Sequence, residues 1–395
     1  YNGTVLAITT EGGINYYVVP VSAFTTSDNI NYTLNGVTFV PTADYSTPAA
    51  GISFPVKVTI DTDSGPKADV SSTLNINVKA IADVPLVIAA EHQTALEDST
   101  NVNLNISAQL QDTDGSESID YYLIKITEGN GTLVGAGLSV EGNYLKVSAA
   151  NIGSVQVDPA QDFSGIIRVE AIAVSKEAAN FVPGQQYAQS EPIIITIDVS
   201  PDADPNKLNI ARPYIVSDED VAINLSSVIS LSKIADNLDG SENTFIRISQ
   251  IPDGAELKLH GVELDVDGLA PGLHNLSVTY TDGTGTHTVN YQYYKDATDS
   301  ANDYYQISTL QFAALEIQPV TQSNIDFTLK IVGVVIDTAI LSTGTVTDVR
   351  ETPAQFIDIN LKGVPDNPDF DVTGTDWSII PNGVETTIIE DGQAV

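Results

Sequence analysis

The chain has 395 residues, 42% apolar and 17% charged, with no cysteine and no methionine. That length suits about two to four domains with packed cores, and the missing cysteine excludes disulfides, zinc–thiolate sites, iron–sulfur clusters and thiol nucleophiles. Acids outnumber bases 52 to 16, a formal net charge of −36, which repels nucleic acid and anionic membrane, and repels itself unless a cation sits among the carboxylates.

In chain order, short runs rich in Val, Ile, Thr and Tyr alternate with clusters of Asn, Asp, Gly and Pro. Val56-Lys57-Val58-Thr59-Ile60, Ile193-Ile194-Ile195-Thr196-Ile197 and Phe327-Thr328-Leu329-Lys330-Ile331 are examples. They read as strands, with turn signals every 8 to 12 residues or so. Long helical periodicity is missing, and no apolar run approaches the roughly 18 to 20 residues of a membrane span. The expected class is all-β, with several short antiparallel strands per segment favouring tandem β-sandwiches over barrels or propellers.

Three landmarks recur in one order. The first is a strand leading to an acid in a proline-bearing link. It reads Asn75-Ile76-Asn77-Val78 to Asp83, Thr196-Ile197-Asp198-Val199 to Asp204, and Asp358-Ile359-Asn360-Leu361 to Asp366. In each the acid follows the strand by five residues (78 to 83, 199 to 204, 361 to 366). The second is a Glu-Asp pair before an apolar alternation: Glu97-Asp98, Glu219-Asp220 and Glu390-Asp391. The third is an acid–glycine turn, Asp112-Thr113-Asp114-Gly115-Ser116-Glu117, then Asp236-Asn237-Leu238-Asp239-Gly240-Ser241-Glu242. Asp98 to Asp114 is 16 residues and Asp220 to Asp239 is 19. Later in each unit a strand runs into proline, at Pro41, Pro159 and Pro319.

The links predict units at 1–83, 84–204 and 205–366, with 367–395 as the start of a fourth. The first unit lacks its opening strands, and the sequence has the look of a mature or excised piece of a longer array; the tail is too short to complete the head of a neighbouring chain by strand donation. The third unit carries about 40 extra residues near 265–303, rich in Tyr, Thr, Asp and Gly.

Hard cations take six to eight oxygens, and a turn of the form Asp-x-Asp-Gly-Ser-Glu supplies several from one loop. The glycine permits the sharp reversal that lets them face one point. Crowded carboxylates repel one another strongly without a cation. The candidate calcium ligands are therefore Asp83, Glu97, Asp98, Asp112, Asp114, Glu117, Asp204, Glu219, Asp220, Asp236, Asp239, Glu242, Asp366, Glu390 and Asp391, with Asp61 and Asp63 as weaker ones. The competing reading is that these acids cap turns and keep the chain soluble.

The arrangement resembles the tandem immunoglobulin- or cadherin-like extender domains of large bacterial RTX and biofilm-type surface adhesins. The residues that carry it are Glu97-Asp98, the turn Asp112 to Glu117, Asp158-Pro159 through Asp162-Phe163-Ser164-Gly165, and Ala203-Asp204-Pro205. The likeness covers Asp83 to Asp204 well and the third unit loosely, where Asp236 and Asp239 are three apart rather than two. It implies calcium at the link and turn acids, an extracellular place on a bacterial surface or in its secretions, and neighbouring domains of one long chain as partners.

Catalysis has little support. His92, His260, His274 and His287 match no zinc spacing, and there is no nucleophile elbow or phosphate-binding loop. The expectation is a non-enzymatic stalk segment. Two alternatives remain: a subunit of an extracellular filament or sheath, and a glycan- or peptide-binding module that uses the insert. For the insert, the plainer reading is extra strands that extend a sheet, with Tyr291, Tyr293, Tyr294, Tyr304 and Tyr305 packing on a face.

Overall fold

The computed structural model describes residues 4–27, 32–60, 68–112, 114–204, 206–232 and 239–365. Asp61, Asp63, Asp236, Asp366, Trp377, Glu390 and Asp391 lie outside the described residues. The chain divides into two compact units. The first comprises residues 1–203, 235–242 and 336–349; the second comprises 204–234, 243–335 and 350–395.

In the first unit, the N-terminal residues form three antiparallel hairpins. They pair Ile8–Glu11 with Ile14–Tyr17, Phe24–Thr26 with Tyr32–Leu34, and Ile52–Ile60 with Ala68–Ile76. A sandwich follows. One sheet runs, in spatial order, Ser139–Glu141, Tyr144–Ser148, Glu117–Glu128, Gly165–Glu177, Ile193–Ser200 and His92–Leu96, with Tyr187–Gln189 also pairing Gly165–Glu177. The facing sheet is Gly131–Val134, Gln156–Pro159 and Val102–Asn103.

The sequence pattern explains the layers. Along Gly165–Glu177 every second residue from Gly165 to Ala173 is buried, so Ile167, Val169 and Ala171 point inward. That period of two belongs to a strand with one face on a core. Ile195, Ile197 and Val199 supply the next row on one flank and Ile124 the row on the other, and Leu104, Val155 and Val157 close the core from the side of the facing sheet. Each such Val, Leu or Ile side chain contributes about 1.5–3 kcal/mol by leaving water.

The second unit repeats the plan. Its large sheet takes strands in the order Tyr214–Asp218, Gln355–Lys362, Phe327–Leu341, Glu242–Ser249, Tyr304–Ser308, Gly285–Lys295 and Gly272–Asp282, and Gly344–Glu351 pairs with Phe327–Leu341. The far part of the last two, residues 336–349, belongs to the first unit. The smaller sheet is Ile223–Asn224, Leu315–Gln318, Glu256–Leu259 and Val262–Glu263. The extra residues of the third repeat form the hairpin Gly272–Asp282/Gly285–Lys295, which adds strands to the large sheet beyond Tyr304–Ser308. Tyr291, Tyr293 and Tyr305 point into the core, while Tyr294 and Tyr304 stack on each other outside it. The molecule is thus all-β and built of immunoglobulin-like β-sandwiches. No helix among the described residues is long and apolar enough to cross a membrane.

Candidate metal centre

The acid–glycine turn preceding Glu117–Glu128 folds on its own side chains. Asp114 N–H donates to Asp112 Oδ1 at 2.7 Å, Ser116 N–H to Asp114 Oδ1 at 2.7 Å, and Ser116 Oγ to Asp112 Oδ2 at 3.2 Å. Gly115, at φ 85°, makes the reversal. The free oxygen of Asp114 reaches back along the chain and accepts from Ser46 N at 2.8 Å and Ser46 Oγ at 3.0 Å.

The link acid comes to the same turn. Asp83 N–H donates to Glu117 Oε1 at 2.9 Å, and Ser175 Oγ donates to the Asp83 carbonyl at 2.7 Å. One carboxylate oxygen each from Asp83, Asp112 and Glu117 lie within 4.8 Å of one another. Glu177, at the end of the neighbouring strand and paired with Glu117, is 1% exposed. Oε2 of Glu117 and Oε2 of Glu177 are buried with no hydrogen-bond donor among the described residues.

Electrostatics record the crowding. Burial pushes the Asp83 carboxyl upward, and Asp44 and Asp112 add to it. Burial likewise raises Glu117, with Asp83 and Asp112 adding, and raises Glu177, with Glu117, Asp112 and Asp114 adding. Burial also works upward on Asp114, but hydrogen bonds from Ser116 and Ser46 outweigh it and hold that group at about 2. Uncompensated buried carboxylate oxygens in an all-oxygen set suit a hard divalent cation. Asp83, Asp112 and Glu117 would hold it, with Glu177 beside them. Bound there, the cation would supply positive charge that cancels this repulsion.

A second acidic group lies in the same unit. Glu97 is 6% exposed, and Asp337 is completely buried, with neither oxygen accepting from a backbone N–H, hydroxyl, amide or cation of the described residues. Burial, then contact with Asp337, pushes the Glu97 carboxyl far up, and Asp239 adds to it; Asp202 N–H donates to Glu97 Oε2 at 3.0 Å in opposition. Asp239 accepts Ser241 N–H at 2.8 Å and Ser164 N–H at 3.1 Å, as Asp114 accepts Ser116 and Ser46. Asp198 accepts from the Ser342 N–H at 2.9 Å and from its hydroxyl, and Asp348 accepts from Ala203 N at 2.9 Å.

The Glu-Asp pairs have a defined task. Glu97 and Glu219 each accept a link N–H, from Asp202 at 3.0 Å and from Val364 at 2.6 Å. Asp98 and Asp220 each accept a loop N–H, from Asp162 at 3.1 Å and from Gln322 at 2.6 Å. Asp98 and Asp220 each tie their own turn to a loop distant in sequence. Within one repeat the pair and the turn belong to different clusters: Asp112 joins Asp83, whereas Glu97 joins Asp337 and Asp239. Asp204 begins the second unit, and Glu242 ends the segment 235–242 that carries Asp239.

Several acids in or beside these groups stand outside the predicted ligand set. Asp44 and Asp162 follow a proline by three residues and precede an aromatic–serine pair, Tyr45-Ser46 and Phe163-Ser164. That spacing was available to find them. Glu177 and Asp337 are equivalent only through strand register. Arg168 pairs Thr196, whose parallel partner is His92; Thr328 pairs Asp358, whose parallel partner is Tyr214. Glu177 and Asp337 then each lie nine residues further on. Of the histidines, His260 and His287 flank Tyr280 in a ring stack, and none joins a three-residue metal-type group among the described residues.

No protein-family model matches the chain, and no curated protein matches its sequence. Among solved structures, titin domains Z1Z2 in complex with telethonin are similar over 72% of this chain and 99% of that one, at 7% identity and a TM-score of 0.21. Dpr2 Ig1-Ig2 in complex with DIP-Theta Ig1-Ig3 is similar over 79% of this chain and 73% of that one, at 12% identity and a TM-score of 0.20. At such values these likenesses carry no functional argument, and the sandwich assignment stands on the sheets themselves.

Proposed function

We propose that the chain is a segment of an extracellular stalk, of the kind carried by bacterial surface adhesins, in which calcium stiffens the links between tandem β-sandwich modules. The modules are 1–83, 84–204 and 205–366, with 367–395 opening another. Their partners are neighbouring modules of the same long chain, the place is the bacterial surface or its secretions, and the role is to space a binding region from the cell rather than to catalyse.

The observation that supports this most is the Asp83, Asp112 and Glu117 group, a link acid and two turn acids with oxygens within 4.8 Å of one another. Cancelling its repulsion with a divalent ion would tie the link to the turn, and in a string of modules the links govern flexibility. The Asp239 and Asp337 group beside Glu97 repeats the chemistry, so stiffening would recur from link to link.

The test is calorimetry and small-angle scattering of the full chain after metal removal, with and without millimolar calcium. Calcium is expected to raise the Tm and to narrow the spread of the maximum dimension. Identical melting and scattering in calcium and in chelator would overturn the reading.

A further inference from the structure

We propose that the outer face of the hairpin-extended sheet in the second unit is a binding site for a neutral saccharide. The site rests on a different set of residues from the acidic clusters and needs no cation.

Register lays three cross-strand rows on this face. The middle row is Arg247, Gln306, Gln292 and Asn275, contributed by four adjacent strands. It is a one-way chain of hydrogen bonds. Arg247 Nη2 donates to Gln306 Oε1 at 2.8 Å, Gln306 Nε2 to Gln292 Oε1 at 2.8 Å, and Gln292 Nε2 to Asn275 Oδ1 at 2.9 Å. Gln306 is 3% exposed, so the chain is fixed at its centre. Because each amide spends its NH2 on the next, the row ends with the exposed Asn275 amide, whose Nδ2 donates to no protein group among the described residues. Two residues along the strands lies an aromatic row. Tyr294 and Tyr304 stack with centroids 5.2 Å apart, and the Arg247 guanidinium sits 4.2 Å over Tyr304. Two residues the other way lie Phe245, Asn290 and Ser277. Asn290 is exposed, and its side chain makes no hydrogen bond to described residues.

A cavity of about 330 Å³ opens on this face, lined by Phe245, Asn275, Ser277, Asn290, Gln292 and Gln306 among others. The volume is at the lower end of the range for small-ligand sites, about 300–1,000 Å³. Its chemistry selects the occupant. The lining is amide, hydroxyl and aromatic with Leu276 among it, and the one cation in the three rows, Arg247, is already engaged by Glu351. An anionic ligand would be repelled by a chain of net charge −36. Amide and hydroxyl groups that donate and accept side by side match adjacent sugar hydroxyls, and the aromatic rings match the C–H face of a pyranose. A peptide would want a bare strand edge or deep side-chain pockets instead.

The experiment is saturation-transfer NMR and calorimetric titration of the full chain with neutral hexoses, N-acetylhexosamines and their disaccharides, in calcium and in chelator. Binding of at least one sugar class is expected, with the same affinity in both conditions. Asn290→Ala and Asn275→Ala together are expected to weaken it at least tenfold without moving the Tm, since both residues are exposed. Leu310→Ala, an exposed site elsewhere in this unit, is expected to leave it unchanged. No saccharide signal, binding undiminished in the double variant, or binding only of peptides would each overturn the proposal. Loss of calcium stiffening with saccharide binding retained would sink the stalk reading and leave this one standing.

Discussion

Asp98 and Asp220 do the same work in successive repeats. Both have left-handed φ, 56° and 65°, and each accepts the N–H of a residue that is itself left-handed, Asp162 at 55° and Gln322 at 57°. Aspartate tolerates this backbone because its short carboxyl can bond locally. Asp98→Ala is expected to destabilise the first unit by about 1–3 kcal/mol, by orphaning an N–H and straining the backbone. Asp98→Gly should recover the strain part only. Denaturant unfolding of the two variants separates the terms; equal stability of both with the parent would contradict the assignment.

Acidity should stabilise the metal-free protein. Asp83, Glu97, Glu117 and Glu177 all have carboxyls raised in the folded state, chiefly by burial. A raised folded value means the contribution is complete below the unfolded value, about 4.5 for glutamate, and is lost as pH climbs through the folded one. Asp114 acts oppositely: its contribution is complete above 3.8 and is lost as pH falls through about 2. The Tm of the metal-stripped chain is expected to peak near pH 4–5 and to fall toward pH 8. Calcium should flatten the fall. A metal-free Tm that rises across that interval would show that the acids are not crowded as described.

Glu117→Gln should change sign with the cation. In chelator it removes one charge from the Asp83 group and is expected to raise stability by about 1 kcal/mol or more. In millimolar calcium it removes a ligand, so the stabilisation gained from the ion should shrink. Calorimetry in the two buffers reads both arms, and a loss of equal size in each would mean that Glu117 serves only packing.

Gly129 tests the sandwich itself. It sits at φ 89°, and a Cβ there would meet the Ile166 carbonyl oxygen at 2.4 Å and Ile167 Cα at 2.9 Å. Both contacts are backbone, so nothing can swing aside. Gly129→Ala is expected to cost upward of about 2 kcal/mol, through the φ penalty and the clash together. An unchanged unfolding midpoint would mean the turn can move.

The strands were legible because their apolar alternation is local: Gly165–Glu177 and Ile193–Ser200 announce themselves by period. The turn from Asp112 to Glu117 was legible for the same reason, since its acids and glycine are neighbours in sequence. What the sequence hid was partnership across strands. The near-constant interval between Glu97-Asp98 and the turn invites the reading that both serve one cage. In the fold that interval only reflects a repeated unit, and the two sets join different acids. Glu177 and Asp337 sit in runs that read as ordinary strand, and only register places them beside other carboxylates. The insert's tyrosines divide by strand alternation, Tyr291 and Tyr293 inward and Tyr294 outward, a split that composition alone does not reveal.

The strand Gly165–Glu177 starts directly after Ser164, whose N–H donates to Asp239, and ends at Glu177, so one uninterrupted run of backbone joins the two acidic groups of the first unit over roughly 40 Å. Tension entering at either end travels through covalent bonds without rounding a turn. Its flank is held to Ile193–Ser200 by seven consecutive residue pairs, from Gly165–Val199 to Ala171–Ile193. Pulled lengthwise along the strands, those pairs would shear together rather than open one after another.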